Sequence, residues 1–230
     1  MSVYQVPADA TTVWKITYVA FAIATRPIFR LQVEGREKVP LRGGAVIVCN
    51  HPGGVDYIAL GLASPRQLYY MAKVELFQIH PWLSAYFRAA GAFPVRRGQR
   101  DVHAIQEAVE VVRSGKVLGM FPEGTRSRGG SLRRGKSGAV RVAMAAQAPI
   151  VPAGVIGAYE APKRFYRQLR RPLVTVRFGE PFMPQGRVES PEDVHENVER
   201  MMRRIAALLP PEMRGIYADQ PQSSQALPQA

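Results

Sequence analysis

The sequence predicts an α/β domain built on a mostly parallel, mixed central sheet with helices on both faces. Two observations predict it. Short runs rich in β-branched residues recur along the chain, and most lead through a polar loop into a longer stretch of helical periodicity. The 230 residues suffice for one sizeable domain, and their 47% hydrophobic content excludes a disordered chain. The chain accordingly divides into an N-terminal interfacial or amphipathic segment at 1–30, a single domain at 31–215 and a flexible tail at 216–230 rich in Gln, Ser, Pro and Ala.

The elements follow in order. Val13–Thr25 is mostly apolar, with Trp14, Tyr18 and Phe21 interleaved and Lys15 and Arg26 near its ends. It is shorter than the roughly 20 residues that span a bilayer, and no basic stretch or small-residue cleavage site marks it as a signal peptide. It reads either as a helix packed on the domain or as an interfacial membrane anchor. Ala45–Cys49 is a short apolar run that predicts a buried strand, ended by the turn-forming Asn50-His-Pro-Gly-Gly54. Further strands are predicted at Gln67–Met71, Ala92–Val95, Val117–Phe121, Ile150–Val155 and Leu173–Phe178. Helices are predicted at Tyr57–Ala63, Asp101–Arg113, Lys136–Gln147 and Pro191–Leu209. In the last, Val194, Val198, Met201, Ile205 and Leu208 recur at helical spacing, acids crowd the start and Arg203 and Arg204 come late, as in a core-covering helix.

Lys and Arg number 31 against 18 Asp and Glu, a net charge of +13. Such an excess favours an anionic partner: a phospholipid surface, nucleic acid or a phosphorylated substrate. The single cysteine, Cys49, excludes an intrachain disulfide and a Cys-rich metal site. Its place inside an apolar strand makes it a structural residue rather than a thiol nucleophile.

Three strand-end loops carry the candidate chemistry. In Asn50-His-Pro-Gly-Gly-Val-Asp56, the turn folds the chain back so that Asp56 reaches the His51 imidazole. A carboxylate on one ring nitrogen fixes the tautomer and leaves the other as a base. The competing reading is a turn histidine beside an Asp that caps a helix. Phe121-Pro-Glu-Gly-Thr-Arg-Ser127 and Phe93-Pro-Val-Arg-Arg-Gly98 add guanidinium forks matched to phosphate oxygens, unless these arginines are solvated surface charge. Gly130-Ser-Leu-Arg-Arg-Gly-Lys-Ser137 matches G-x4-G-K-S, but no strand runs straight into it, which argues against a nucleotide P-loop. Lys163–Arg171 interleaves five basic residues with Phe165, Tyr166 and Leu169, which suits a membrane interface, single-stranded nucleic acid or a solvated helix face.

Asn50-His51 with Asp56, Phe93–Arg97, Phe121–Arg126 and Ile150–Gly154 resemble, in order, the four sequence blocks of the glycerolipid acyltransferases. The likeness is greatest to bacterial 1-acylglycerol-3-phosphate acyltransferases, and Met71-Ala-Lys73 with Glu75-Leu76 resembles a further stretch of theirs. It runs over about residues 35 to 157. The resemblance implies transfer of a fatty acyl group from acyl-CoA or acyl-carrier protein to a lysophospholipid hydroxyl, with no cofactor, metal or acyl-enzyme. It implies His51 as general base, Asp56 as its orienter and Arg126 as phosphate ligand in a loop shaped by Gly124 and Thr125. Glu123 then fixes that loop or contacts the acceptor, Arg97 supplies the second block's basic group and Pro152 shapes the wall near the acyl site. Gly53-Gly54 and Arg96 depart from the commonest family residues, leaving glycerol 3-phosphate or another lysolipid open as acceptor. The expected location is the cytoplasmic face of a membrane, bound peripherally or monotopically, with the anionic surface a partner and nucleic acid not.

Two readings from other classes compete. A nucleic-acid-binding protein accounts for the charge but leaves the His and Phe-Pro-Glu-Gly-Thr-Arg blocks unexplained. A thioester hydrolase accounts for the His–Asp pair, although no G-x-S-x-G elbow occurs. The Gly53 and Gly54 amides are further candidates for an oxyanion hole.

Overall fold

The computed structural model describes residues 3–95, 102–128, 130–168 and 171–218. Their strands are β1 (Arg30–Glu34), β2 (Ala45–Cys49), β3 (Leu68–Lys73), β4 (Ala92–Val95), β5 (Val117–Met120), β6 (Ile150–Ile156) and β7 (Leu173–Phe178). The helices are α1 (Thr12–Thr25), α2 (Asp56–Ala63), α3 (Val74–Gln78), α4 (Pro81–Ala89), α5 (Val102–Arg113), α6 (Gly138–Ala146), α7 (Ala161–Gln168) and α8 (Pro191–Ala207).

The strands form one sheet in the order β1-β7-β6-β2-β5-β3-β4, parallel throughout except for β6 against β7. β2 lies between β5 and β6 and is buried along its whole length, which is why it reads as a continuous apolar run rather than an alternating one. The parity of the strands divides the core. Ile47, Cys49 and Val155 point toward α1 and α2, whereas Val46, Val48 and Ile150 point toward α5, α6 and α8. The C-terminal ends of β2 to β6 and the N-terminal ends of β1 and β7 therefore share one edge of the sheet. That edge is where loops of a parallel sheet gather functional groups.

α1 packs on the domain through Trp14, Thr17, Tyr18, Ala22 and Thr25, and the Tyr18 hydroxyl donates to the Leu62 carbonyl at 2.9 Å. It lies antiparallel to α4: the Thr11 hydroxyl donates to the Ala89 carbonyl at 3.2 Å, while Thr17 Oγ1 lies 3.0 Å from the Tyr86 hydroxyl. Its opposite face leaves Ile16, Val19 and Ile23 exposed. No helix among the described residues is long and apolar enough to cross a membrane.

The structure differs from the sequence reading at several points. α6 begins at Gly138, not Lys136, because the Lys136 N–H donates to the Pro122 carbonyl at 2.8 Å and holds that residue against the preceding loop. The predicted tail begins with ordered chain: Gly215–Tyr217 forms a 3-10 turn, and Tyr217 is buried among Leu132, Val198 and Met202 of the second core. β1, α3 and α4 are elements beyond those predicted: Leu31 and Val33 alternate with polar residues in β1, and Trp82, Leu83, Tyr86 and Phe87 recur at helical spacing in α4. The predicted loop Arg96–Gly98 lies outside the described residues.

Arg66 ties the opposite edge of the sheet together. Its guanidinium donates to the carbonyls of Pro40, Gly43 and Gly115 and to Asp9, at 2.6 to 3.3 Å. Arg66→Met keeps the aliphatic bulk but strands those three carbonyls. We expect a loss of about 2–4 kcal/mol in urea denaturation, with activity of the remaining folded protein unchanged.

Candidate active site

The site begins where β2 ends. Asn50 clamps β2 to β6: its side-chain nitrogen donates to the Val155 carbonyl at 3.0 Å, and its oxygen accepts the Val155 N–H at 2.7 Å. With the strand end pinned, Gly53 and Gly54 turn the chain in left-handed conformations, at φ of 95° and 69°. Only glycine adopts these at little cost. A Cβ on Gly54 would also collide with the Ala158 carbonyl oxygen, so the turn sits directly on the segment after β6.

The turn returns Asp56 beneath His51. His51 Nδ1 lies 2.8 Å from Asp56 Oδ2, with the histidine 7% exposed and the aspartate wholly buried. The carboxylate also accepts the backbone N–H of Gly53 and of Tyr57, each at 2.7 Å. With a carboxylate oxygen facing Nδ1, that nitrogen is the one that carries the ring proton, and Nε2 keeps its lone pair. The ring face is stacked on Phe121 at 4.1 Å between centroids, and Tyr70 continues the stack behind Phe121 at 6.4 Å. His51 is thereby fixed in tautomer and orientation.

Glu123 fixes the second loop to the first. It is buried, with Oε1 accepting the His51 N–H at 2.7 Å and Oε2 the Arg133 N–H at 3.2 Å. Burial raises its pKa, partly countered by those two hydrogen bonds. Through these bonds it fixes the loop, one of the two roles the sequence allowed. The Ser127 N–H donates to the His51 carbonyl at 2.8 Å, closing the same seam. Arg126 consequently lies over the catalytic turn, its Cδ 3.5 Å from where a Cβ on Gly53 would stand. Gly124, at φ 70°, and Thr125 are exposed on the same loop.

Three residues join this site without having been predicted for it. Lys136 lays its side chain across Gly124, with Nζ 2.8 Å from the position of a Cβ there. The signal for it was the G-x4-G-K-S match, whose lysine serves the neighbouring loop instead of a nucleotide. Tyr159, just after β6, packs its ring 3.5 Å from the Gly53 Cβ position, and Lys163 Nζ sits 4.0 Å above that ring. Among the described residues, Arg126, Arg128, Arg133, Arg134 and Lys136 form no ion pair with a carboxylate. This half of the rim therefore carries uncompensated positive charge suited to a phosphate.

Pro152 belongs to the α8 side of β6 and packs against Gly179, 3.0 Å from that residue's Cβ position. Strand parity places it on the face of the sheet away from Phe121 and Tyr70. The Gly53 N–H is occupied by Asp56 and is unavailable to an oxyanion. Arg97 lies outside the described residues. Among the described residues, no group of three His, Cys, Asp or Glu side chains is placed to hold a metal ion.

Cys49 lies next to the site but in the core. Burial, then the charges of Asp56 and Glu123, push its thiol well above the ordinary range, so it remains protonated at neutral pH. A thiol-nucleophile mechanism is thereby excluded.

A family model described as Acyltransferase matches residues 30–156. A 1-acyl-sn-glycerol-3-phosphate acyltransferase of Bacillus subtilis is 34% identical over 182 residues, which is 77% of this chain and 87% of that protein. One of the same name from Borreliella burgdorferi is 31% identical over 54% of this chain and 50% of its own length. The crystal structure of the 1-acyl-sn-glycerophosphate acyltransferase PlsC from Thermotoga maritima superposes with a TM-score of 0.64. It is 27% identical, over 85% of this chain and 76% of that one.

Two outcomes follow from the geometry. Asp56→Asn retains the volume but loses the charge that holds the Nδ1 proton. Its turnover should fall about 10²–10⁴-fold with the circular dichroism spectrum intact. Cys49→Ala should retain turnover, and the native thiol should react with iodoacetamide only after denaturant is added.

Proposed function

The chain belongs to the acyltransferase family, and we propose that it acylates the free hydroxyl of 1-acylglycerol-3-phosphate to give phosphatidate. The observation that carries this reading is the buried His51–Asp56 pair at 2.8 Å, set under a loop whose Arg126 lies across the same turn. A base and a phosphate ligand in one cleft define an acceptor that carries both a hydroxyl and a phosphate.

The reaction follows from those positions. Arg126, with Lys136 beside Gly124, holds the acceptor phosphate, and the acceptor hydroxyl meets His51 Nε2. His51 removes the hydroxyl proton as the oxygen attacks the thioester carbonyl of the donor. Asp56 stabilises the imidazolium that forms. The tetrahedral intermediate collapses with cleavage of the carbon–sulfur bond, and the imidazolium proton goes to the departing thiolate. The ester is formed, the free thiol is released and His51 is again neutral. The donor is an acyl thioester of CoA or of acyl-carrier protein.

The lipid acceptor places the enzyme on a membrane surface, on the face that the soluble thioester reaches. Support comes from α1: its outward side, Ile16, Val19 and Ile23, is an exposed apolar stripe between Lys15 and Arg26. Docked through this stripe, the protein sits on one leaflet without crossing it.

The test is thiol release from palmitoyl- or oleoyl-CoA, or the matching acyl-carrier protein, with lysophosphatidate, glycerol 3-phosphate or no acceptor. Release should depend on lysophosphatidate, vanish in His51→Ala and require a higher acceptor concentration in Arg126→Ala. Release without acceptor would instead identify a hydrolase, and a preference for glycerol 3-phosphate would reassign the acceptor.

A further inference from the structure

We propose that α3 and α4 form, together with the outward stripe of α1, a single lipid-docking platform in which Ile79 and Trp82 enter the bilayer interface. The inference rests on the membrane-surface reading above and extends it to a second element that the sequence did not single out.

The first observation is a helix with nothing to bury it. α4 carries Trp82, Leu83, Tyr86 and Phe87, yet not one of its residues is buried. Ile79 and Trp82 are 64% and 65% exposed, and Leu76 and Tyr86 are partly exposed beside them. From Val74 to Ala89 the charged residues are Glu75 and Arg88 alone. A soluble protein rarely leaves so many large apolar side chains together in water unless a partner covers them.

The second observation is continuity. α1 and α4 run side by side in opposite directions, joined at Thr11–Ala89 and Thr17–Tyr86, so their exposed apolar residues belong to one surface. That surface reaches the catalytic edge of the sheet. α3 starts immediately after Lys73, the last residue of β3, and α1 ends at Thr25, five residues before the first of β1. Both points lie on the edge that also holds His51 and Arg126. A lipid drawn from a bilayer beneath the platform would enter the cleft from the side.

The third observation chooses the occupant. The chain carries +13, and Lys15, Arg26, Lys73 and Arg88 lie on or next to α1, α3 and α4. A second copy would bring the same charge and repel it, whereas an anionic bilayer attracts it. Tryptophan and tyrosine with flanking cations suit the headgroup boundary, where an apolar ring and a polar edge are both satisfied.

The chain has two tryptophans, and one of them is buried: Trp14 packs on Gly61 of α2, with its Nε1 lacking a hydrogen-bond partner. Trp14→Phe removes that unpaired donor and leaves Trp82 as the sole reporter. On titrating phosphatidylcholine–phosphatidylglycerol vesicles into full-length Trp14→Phe, Trp82 emission should shift to the blue and be quenched by lipids brominated on their acyl chains. Ile79→Ser with Trp82→Ser should weaken vesicle affinity by roughly tenfold or more, leaving turnover of a water-soluble short-chain acceptor unchanged. Co-sedimentation with vesicles while Trp82 is neither shifted nor quenched would overturn the platform and leave α1 as the anchor. Failure of the wild-type protein to co-sediment would overturn both the platform and the membrane-surface reading, while thiol release separately judges acyl transfer. A blue shift without vesicles that grows with protein concentration would assign the surface to a second copy and overturn the lipid assignment.

Discussion

The Asp56 carboxylate, fully buried and hydrogen-bonded by the backbone N–H groups of Gly53 and Tyr57 and by the His51 ring, is the constraint on which the rest of the site depends. A buried charge is tolerable only when donors surround it. Here the donors come from the turn it helps to fold, so the carboxylate and the Pro-Gly-Gly bend stabilise one another. The bend in turn requires two left-handed glycines and a pinned strand end, which Asn50 supplies by bridging β2 to β6. Remove the charge and the tautomer is lost; remove the bend and the charge has no donors.

The same economy extends outward through Glu123. One buried carboxylate joins the His51 backbone to the Arg133 backbone, so the loop that holds the base and the stretch that leads to Lys136 are fixed together. Arg126 and Lys136 are thus positioned relative to the imidazole by main-chain hydrogen bonds rather than by ion pairs of their own side chains. This leaves the guanidinium and ammonium groups unpaired and available to an anion. A rim so charged, beside an apolar surface built from α1, α3 and α4, fits a substrate that is itself half phosphate and half hydrocarbon.

The thiol beside the base shows why proximity is not function. Cys49 is two residues from His51, yet the strand carries it into the core, where burial and two nearby carboxylates oppose its ionisation. Pro152 belongs to a sequence block that accompanies the site, and strand parity turns it to the α8 face of the sheet.

Much of this protein was written locally. β2, β4 and β7 have the limits their apolar runs predict, and α8 has the period, the acidic start and the Ser190 cap that a core-covering helix needs. The His51–Asp56 pairing was legible because five residues of turn-forming composition leave the chain few other ways to fold. What only the tertiary structure decided depends on contacts between distant segments. The strand order, the faces taken by Pro152 and Glu123, and the return of Lys136 onto Gly124 are set by which strands and loops become neighbours. The α3–α4 surface was settled only by the tertiary structure, because the helical spacing of Trp82, Leu83, Tyr86 and Phe87 predicts an apolar face but not that the protein leaves it unburied.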